Sequence, residues 1–170
     1  MQTNQILADA FERIRQGSHR AVDGLDGEAL AYRPDQDANS IGWLVWHLTR
    51  VQDHHISELA GRDQTWIVDD WAPRFGLDPS PEDVGYGHTS LQVAAIRPAG
   101  ADVLIEYHDA TYERTLEYTA NVLPEHLDRI VDDRWDPPVS AGVRLVSVIN
   151  DCLQHVGQAH YVRGLYERLG

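Results

Sequence analysis

Apolar side chains recur at three- and four-residue steps in four stretches of the chain, and this spacing predicts four amphipathic helices. We expect these helices over about residues 3–21, 40–59, 101–122 and 143–169. Ser40 stands where an N-cap belongs, because its hydroxyl can accept a hydrogen bond from the first helical turn. Gly61 follows the second helix and Pro124 follows the third, and both residue types are typical of helix ends.

The segments between these helices have the composition of turns and loops. Residues 24–40 contain Pro34 and several Asp and Asn residues, and they are expected to form turns. Residues 61–100 contain four Pro and five Gly, which predicts a loop with at most a short helix beginning at Thr89 or Ser90. Neither alternating strand patterns of convincing length nor a Gly-rich turn between a strand and a helix is found. The sequence therefore predicts an all-α fold.

Four long helices with a long crossover between the second and the third describe a four-helix bundle. The length of 170 residues suits one domain with a single hydrophobic core, so we expect one domain over residues 1–170. No apolar run approaches the ~18 residues that span a bilayer, and no basic segment followed by an apolar one opens the chain. Cys152 is the sole cysteine, which excludes an internal disulfide and fits a reducing compartment. We expect a cytoplasmic protein.

The charge balance narrows the classes of function. Twenty-seven acidic residues face 14 basic ones, giving a net charge of -13, and every basic residue is Arg. A chain this acidic is repelled by phosphate backbones and by anionic lipid, so neither nucleic acid nor a membrane is an expected partner. The absence of Lys also removes Schiff-base chemistry and a phosphate-binding loop lysine. Histidine, with nine residues, is the side chain that remains as a candidate for metal binding or catalysis.

The last helix carries two of the candidate ligands. Asp151 and His155 are four residues apart within its apolar stripe, so their side chains lie one turn apart on one face. The second helix carries His47 on its own apolar stripe. If these two helices are neighbours, the three side chains can hold one metal ion and leave positions open for water or substrate. This ligand set suits zinc and also non-haem iron.

The same residues also allow simpler interpretations. His47 can be a core histidine with a satisfied hydrogen bond, and Asp151 with His155 can be a buried polar pair that braces the bundle. His54 and His55 are expected at the surface of the helix end, although His54 lies close to the stripe of His47. The remaining histidines are treated as structural or exposed, with His108 the first of them to reconsider.

The sequence also predicts where Cys152 and the tryptophans lie. Cys152 is expected in the core rather than as a nucleophile, because no Arg or helix N-terminus lies beside it to lower its pKa. Trp43 and Trp46 begin the second helix and can pack in the core or form the wall of a pocket. The other tryptophans lie in loops that can fold over the mouth of the bundle; they are Trp66, Trp71 and Trp135.

Two segments resemble signatures of the DinB-like metalloprotein superfamily. Residues 39–48, NSIGWLVWHL, resemble its second-helix signature, and residues 151–158, DCLQHVGQ, resemble its last-helix signature. The Pro-Pro-Val turn at 137–139 and the sequence YVRG at 161–164 look like an actinobacterial branch that includes mycothiol-dependent enzymes. The similarity extends over nearly the whole chain and is strongest in the two helix signatures.

The resemblance implies a four-helix bundle with a divalent ion held by His47, Asp151 and His155. Zinc is the usual ion, with Ni²⁺ or Fe²⁺ as alternatives. Many members of the superfamily have a His where this chain has Asp151, whereas mycothiol-dependent isomerases have an acidic residue there. No Arg of this chain matches the substrate-handling arginine of those isomerases.

The function implied by the resemblance is a metal-dependent thiol S-transferase of the kind used in detoxification. A low-molecular-weight thiol, mycothiol in this branch, would be activated as a metal-bound thiolate for attack on an electrophilic small molecule. Polar loops at 61–100 and 132–140 are the expected pocket for a sugar-bearing thiol, and no residue beyond the metal centre is assigned to catalysis. One alternative is a metal-dependent hydrolase or isomerase, in which His54 or a loop acid would be the base. Another is a non-catalytic, stress-associated bundle that binds metal or forms a homodimer through an apolar helix face.

Overall fold

The four long helices are present in the computed structural model, which describes residues 2–169. They are α1 (Thr3–Val22), α3 (Ile41–Ala60), α7 (Ala101–Ala120) and α8 (Ala141–Tyr166). Shorter elements lie between them: α2 (Gly27–Ala31), α4 (Thr65–Val68), α5 (Trp71–Arg74), α6 (Ser90–Ala95), a 3-10 turn (Pro124–His126), and the strands β1 (Ile130–Asp132) and β2 (Val139–Ser140). The two strands pair antiparallel. The expected all-α bundle is confirmed, with this small ribbon as an addition.

The packing of the long helices places α3 beside α8. α1 packs mainly against α7 and α8, and α3 also packs mainly against α7 and α8. The contact between α3 and α8 is the most extensive of these. The long crossover between α3 and α7 is also as expected, so the two helices that carry the candidate ligands are neighbours.

The core confirms the apolar stripes inferred from the sequence. On α8, Leu145, Val148 and Val156 are buried, and Cys152 is fully enclosed between them. On α3 nearly every residue from the first to the last turn is buried, because α3 is covered by α7, by α8 and by the crossover. The crossover therefore closes the face of α3 that the other long helices leave open.

Two short helices lie where the sequence predicted only loop. The N-terminus of α4 is capped by Asp53 of α3, whose carboxylate accepts hydrogen bonds from the backbone N–H groups of Thr65 at 2.9 Å and Trp66 at 2.8 Å. Trp66 and Trp71, which were expected in loops, lie in these two short helices and are buried in the core. The local sequence does not predict this cap, because the accepting carboxylate lies twelve residues earlier, on another helix.

Other boundaries differ by a turn or less, for local reasons. α8 begins at Ala141, two residues before the expected start, because the hydroxyl of Ser140 accepts from Val143 N and caps it. α6 begins behind Thr89, as expected, with Thr89 as its N-cap. Within the segment expected to be turns, α2 forms because the side chain of Asp26 caps it. Trp135 is 65% exposed.

Helices α1 and α8 approach each other closely at Gly17, because glycine has no side chain. A Cβ placed on Gly17 would lie 2.6 Å from Cγ1 of Val156, a β-branched side chain with little rotamer freedom. We expect Gly17→Ala to lower the free energy of unfolding by about 1–3 kcal/mol, as overpacking does. Urea denaturation followed by circular dichroism measures the change.

Gly157→Ala is the matched control, because Gly157 also lies within a long helix but has no atom within 4 Å of an added Cβ. Alanine favours the helix over glycine by about 0.5–1 kcal/mol, so this variant should be as stable as the unaltered chain or more stable. Equal stabilities of the two variants would contradict the assigned close contact.

Candidate metal centre

One imidazole from α3 meets a carboxylate and a second imidazole from α8. His47, Asp151 and His155 each offer one ligand atom, and these atoms lie within 4.8 Å of one another. His47 is buried, and Asp151 and His155 are half-buried. His47 and Asp151 line a cavity. The structure thus brings together the three residues singled out in the sequence, as a group that can hold a metal ion.

The ring of His47 is fixed on two sides. Its Nδ1 is hydrogen-bonded to the backbone carbonyl of Val84, so Nδ1 carries the proton and Nε2 keeps its lone pair. Trp43, one turn earlier on α3, stacks on the imidazole with ring centroids 4.6 Å apart and planes 11° apart. A histidine that donates through one nitrogen to a carbonyl and is held flat by a neighbour is typical of a metal ligand.

His155 is oriented in the same manner by its own helix. Its Nδ1 lies 2.7 Å from Oε1 of Gln158, which can accept the Nδ1 proton. Its Nε2 is then the free nitrogen and lies 3.6 Å from Oδ1 of Asp151. The rings of His155 and His47 meet edge to face, with centroids 4.6 Å apart and planes 82° apart. Both imidazoles therefore keep Nε2 available.

The carboxylate of Asp151 tests whether a cation fits here. Its Oδ2 is buried and has no hydrogen-bond partner among the described residues. A buried carboxylate oxygen without a partner is costly, and a bound cation would satisfy it. Two imidazole nitrogens beside that oxygen complete a donor set that suits a divalent transition metal.

The three groups influence one another's charge. Burial lowers the pKa of His47. Burial also lowers the pKa of His155, but its contacts with Asp151 and Gln158 outweigh this and leave the pKa raised. For Asp151, burial raises the pKa, but attraction to His155 and His47 leaves it below the usual range. Protons compete with a metal ion for the imidazole nitrogens, so metal binding should weaken as the pH falls.

Arg50, which the sequence analysis missed, holds the segment that positions His47. This guanidinium is fully buried on α3, one turn after His47, and donates to the backbone carbonyls of Ser80, Pro81 and Asp83 at 3.1 Å each. Val84, whose carbonyl accepts from His47, is the next residue in the same segment. At about 100° per residue, Arg50 lies on the side of the helix opposite the apolar stripe, so helical periodicity gave no signal for its burial.

A second contact holds the same segment against the start of α3. The indole Nε1 of Trp43 donates to Nδ1 of His88 at 3.1 Å, and Nε2 of His88 lies 2.8 Å from Oδ1 of Asp83. His88 also stacks on Trp46 with centroids 5.7 Å apart. His88 therefore supports the ring of Trp43, which in turn stacks on His47. Both Trp43 and Trp46 are buried in the core.

The metal group opens into a cavity of about 470 Å³, here called the inner cavity. Its lining includes His47, Val51, His54, Val84, Val148 and Asp151. A larger polar cavity of about 720 Å³, the outer cavity, shares His54 and Glu82 with it. Segments 62–67 and 131–134 line the outer cavity, so the loops expected to form a pocket do line one next to the site.

A second group of possible ligands lies further along α3. His54, His55 and Glu58 also offer ligand atoms within 4.8 Å of one another, so the expectation that both histidines are simply surface residues is incomplete. Burial and the nearby charges of Arg144 and His54 lower the pKa of His55 to about 4. The positive charge of Arg144 opposes a cation here, and the group is less suited to metal than the first.

Cys152 lies in the hydrophobic core and not at the candidate metal site. Its side chain is fully buried and its Sγ donates to the backbone carbonyl of Leu48 at 3.5 Å. Burial, together with the charge of Asp151, raises the pKa of the thiol well above its usual value. The core role predicted for this cysteine is confirmed.

The other histidines have structural partners outside the site. His19 pairs with Asp109 at 2.7 Å and His160 lies 3.0 Å from the carbonyl of Gly17. His108 is buried, and burial lowers its pKa to about 4. His126 is exposed on the 3-10 turn. His108 is therefore a structural histidine and is not part of the group formed by His47, Asp151 and His155.

The helical bundle and the ligand group between α3 and α8 define a protein of the DinB-like class. The chain belongs to the mycothiol-S-transferase family, because the family model described as Mycothiol-S-transferase matches residues 6–168. The resemblance inferred from the two helix signatures is thereby confirmed.

A solved structure gives the same fold. It is described as the crystal structure of the conserved protein of locus from Enterococcus faecalis, and it superposes with a TM-score of 0.90. The two sequences are 31% identical, and the match covers 98% of each chain. No curated protein matches the chain significantly. Among the described residues, no helix has the length and apolar character needed to cross a membrane.

Close approach of the 83–88 segment to His47 depends on Gly85. Its φ is +90°, and a Cβ placed there would lie 2.9 Å from Nδ1 of His47 and 2.9 Å from the Trp46 ring. We expect Gly85→Ala to lower the free energy of unfolding by about 2–4 kcal/mol, because backbone strain and overpacking add. Urea denaturation of the metal-free protein checks this.

Gly87→Ala separates the two causes. Gly87 has a φ of +74° but no atom within 4 Å of an added Cβ, so its replacement carries the backbone strain alone. The Gly85 variant should be the less stable of the two by about 1–3 kcal/mol. If both variants lose the same stability, the packing of this segment on His47 is weaker than assigned.

Proposed function

We propose that this protein is a metal-dependent S-transferase that activates a low-molecular-weight thiol, mycothiol, for attack on an electrophilic small molecule. The single observation that carries the proposal is the buried Oδ2 of Asp151, which has no hydrogen-bond partner in residues 2–169 and lies beside two imidazoles at the wall of a cavity. Membership of the mycothiol-S-transferase family supports the choice of thiol.

His47, Asp151 and His155 would hold the ion, and Zn²⁺ fits this donor set best. Two nitrogens and one carboxylate oxygen leave at least one position of a tetrahedral ion open, which is the arrangement of catalytic zinc sites. Ni²⁺ and Fe²⁺ accept the same donors and stay as alternatives. The hydrogen bonds behind the two histidines support the assignment. The carbonyl of Val84 orients His47 through its Nδ1, and the side chain of Gln158 orients His155 in the same way.

When bound, the ion supplies the charge that keeps a coordinating thiol deprotonated at neutral pH. The residues of the chain do the rest. Val51, Val84 and Val148 give the inner cavity an apolar wall, which limits water near the reacting sulfur. No protein thiol takes part, because Cys152 lies in the core.

The proposed reaction is a substitution at carbon. The S–H bond of the thiol breaks and its proton passes to solvent, and the sulfur electron pair then forms an S–C bond with the electrophile. The bond from that carbon to its leaving group breaks, and its electrons depart with the leaving group. Positioning of the two reactants in one cavity would supply much of the rate enhancement.

Metal content gives the first test. We expect about one zinc per chain in the purified protein, in keeping with a three-ligand catalytic site. His47→Ala and Asp151→Ala should each lose most of that metal while the helical circular dichroism spectrum persists. His126→Ala is the matched control, because His126 is exposed on the 3-10 turn and should retain the metal.

Absence of metal from the unaltered protein, even after zinc is offered, would overturn the proposal. Asp151 and His155 would then be a polar pair that stabilises the bundle, and a non-catalytic role would be the favoured interpretation. Equal metal content in all four proteins would instead place the ion elsewhere on the chain.

Thiol chemistry is tested with the cobalt-substituted protein. We expect mycothiol to produce a sulfur-to-cobalt charge-transfer band and to be consumed when an alkylating electrophile is added. Cys152→Ala should retain this activity within about threefold, because the thiol is buried and is not the nucleophile. Loss of turnover in this variant with the band intact would point to the protein thiol and against the proposed mechanism.

A further inference from the structure

His54 lies on the wall between the inner and the outer cavity and plays no part in the mechanism above. It follows His47 by seven residues on α3, which is about two turns or ~10 Å along the same face of the helix. Both cavities are lined by it. A molecule that reaches from the metal group into the outer cavity must therefore pass this imidazole.

The amide of Gln64 faces the imidazole of His54 in a fixed orientation. The guanidinium of Arg50, a donor at every nitrogen, lies 2.8 Å from Oε1 of Gln64. This contact makes Oε1 the acceptor and turns the NH₂ group of Gln64 toward Pro81 O and His54, at 3.0 Å from each. Since Arg50 is buried and has no acceptor atoms, the amide cannot be reversed without leaving a guanidinium N–H unpaired.

The amide in turn fixes the proton of His54. A donor NH₂ group 3.0 Å from Nδ1 requires Nδ1 to be the acceptor, so the proton of the neutral ring is on Nε2. The carbonyl of Pro81 lies further from Nδ1, at 3.3 Å, and already accepts from Gln64 and from Arg50. The tautomer is thus opposite to that of His47, which donates through Nδ1.

The Nε2–H of His54 has no acceptor among the described residues, and Nε2 is not among their buried unpartnered atoms. It is therefore available to a molecule in the cavities. The carboxylates that line the outer cavity, among them Glu58 and Glu82, outnumber its arginines, Arg62 and Arg134, and disfavour an anionic group. A neutral oxygen, such as a hydroxyl, an ether or an amide carbonyl, is the acceptor that suits this place.

We infer that His54 is a specificity-determining residue, whose Nε2–H donates a hydrogen bond to a neutral oxygen on the distal part of the bound thiol. The inference rests on the proposed function, because it takes the sulfur to lie at the metal group. Arg50 and Gln64 act through His54 by holding its tautomer and make no contact with the substrate themselves.

Two substitutions separate the donor from the rest of the ring. In His54→Asn the side-chain oxygen can replace Nδ1 as acceptor from Gln64, but nothing replaces Nε2. In His54→Gln the longer side chain places an N–H near the former Nε2. The probes are mycothiol and 2-mercaptoethanol, which is too short to reach two helical turns from His47, and the affinity of each is read from the charge-transfer band of the cobalt-substituted protein.

We expect His54→Asn to weaken mycothiol binding about tenfold, the effect of one lost hydrogen bond, and His54→Gln to weaken it by about threefold or less. The affinity for 2-mercaptoethanol should stay within about twofold in both variants, because that thiol makes no contact with His54. Unchanged mycothiol affinity in both variants would overturn the inference, and so would equal weakening of both thiols.

A second readout does not depend on thiol binding. Long-range ¹H–¹⁵N spectra of the metal-free protein should show His54 as the Nε2–H tautomer, and finding the proton on Nδ1 would overturn the inference. Failure of the proposed function looks different, because neither thiol would then perturb the cobalt spectrum of the unaltered protein.

Discussion

A guanidinium and a carboxylate lie buried one turn apart on α3, and both need partners because water does not reach them. Arg50 uses its five N–H groups on Gln64, Tyr107 and three backbone carbonyls between residues 80 and 83. Asp53 accepts from the first turn of α4 and from the hydroxyl of Tyr107. These bonds hold two distant parts of the crossover on the open face of α3, and the shape of the site follows from them.

The crossover in turn decides what His47 can do. Held by Arg50, it brings the carbonyl of Val84 to one nitrogen of the ring, and only the missing side chain of Gly85 allows so close an approach. Trp43 covers the flat side of the same ring. Without these contacts, the proton of the buried imidazole could lie on either nitrogen. Here it lies on Nδ1, and the lone pair of Nε2 is available on the side where Asp151 and His155 lie.

α8 positions the other two proposed ligands with far fewer contacts from elsewhere in the chain. Asp151, His155 and Gln158 follow one another at four- and three-residue steps, so the helix itself aligns carboxylate, imidazole and the amide that orients it. This arrangement leaves Oδ2 of Asp151 without a hydrogen-bond partner in the described part of the chain, which is the strongest structural reason to propose a cation there. Cys152, next to Asp151 in sequence, turns about 100° away into the core.

Only the packing of α3 against α8 brings His47, Asp151 and His155 together. The sequence by itself determined the long helices and placed these residues on the apolar stripes of two of them, because helical periodicity depends on neighbours three and four residues away. It did not predict α4 or the burial of Trp66 and Trp71, since their cap comes from Asp53 on another helix. Nor did it assign Arg50, or the proton positions on His47 and His54. Those depend on carbonyls and amides that only the folded crossover brings within hydrogen-bond distance, and no local pattern records contacts between residues so far apart along the chain.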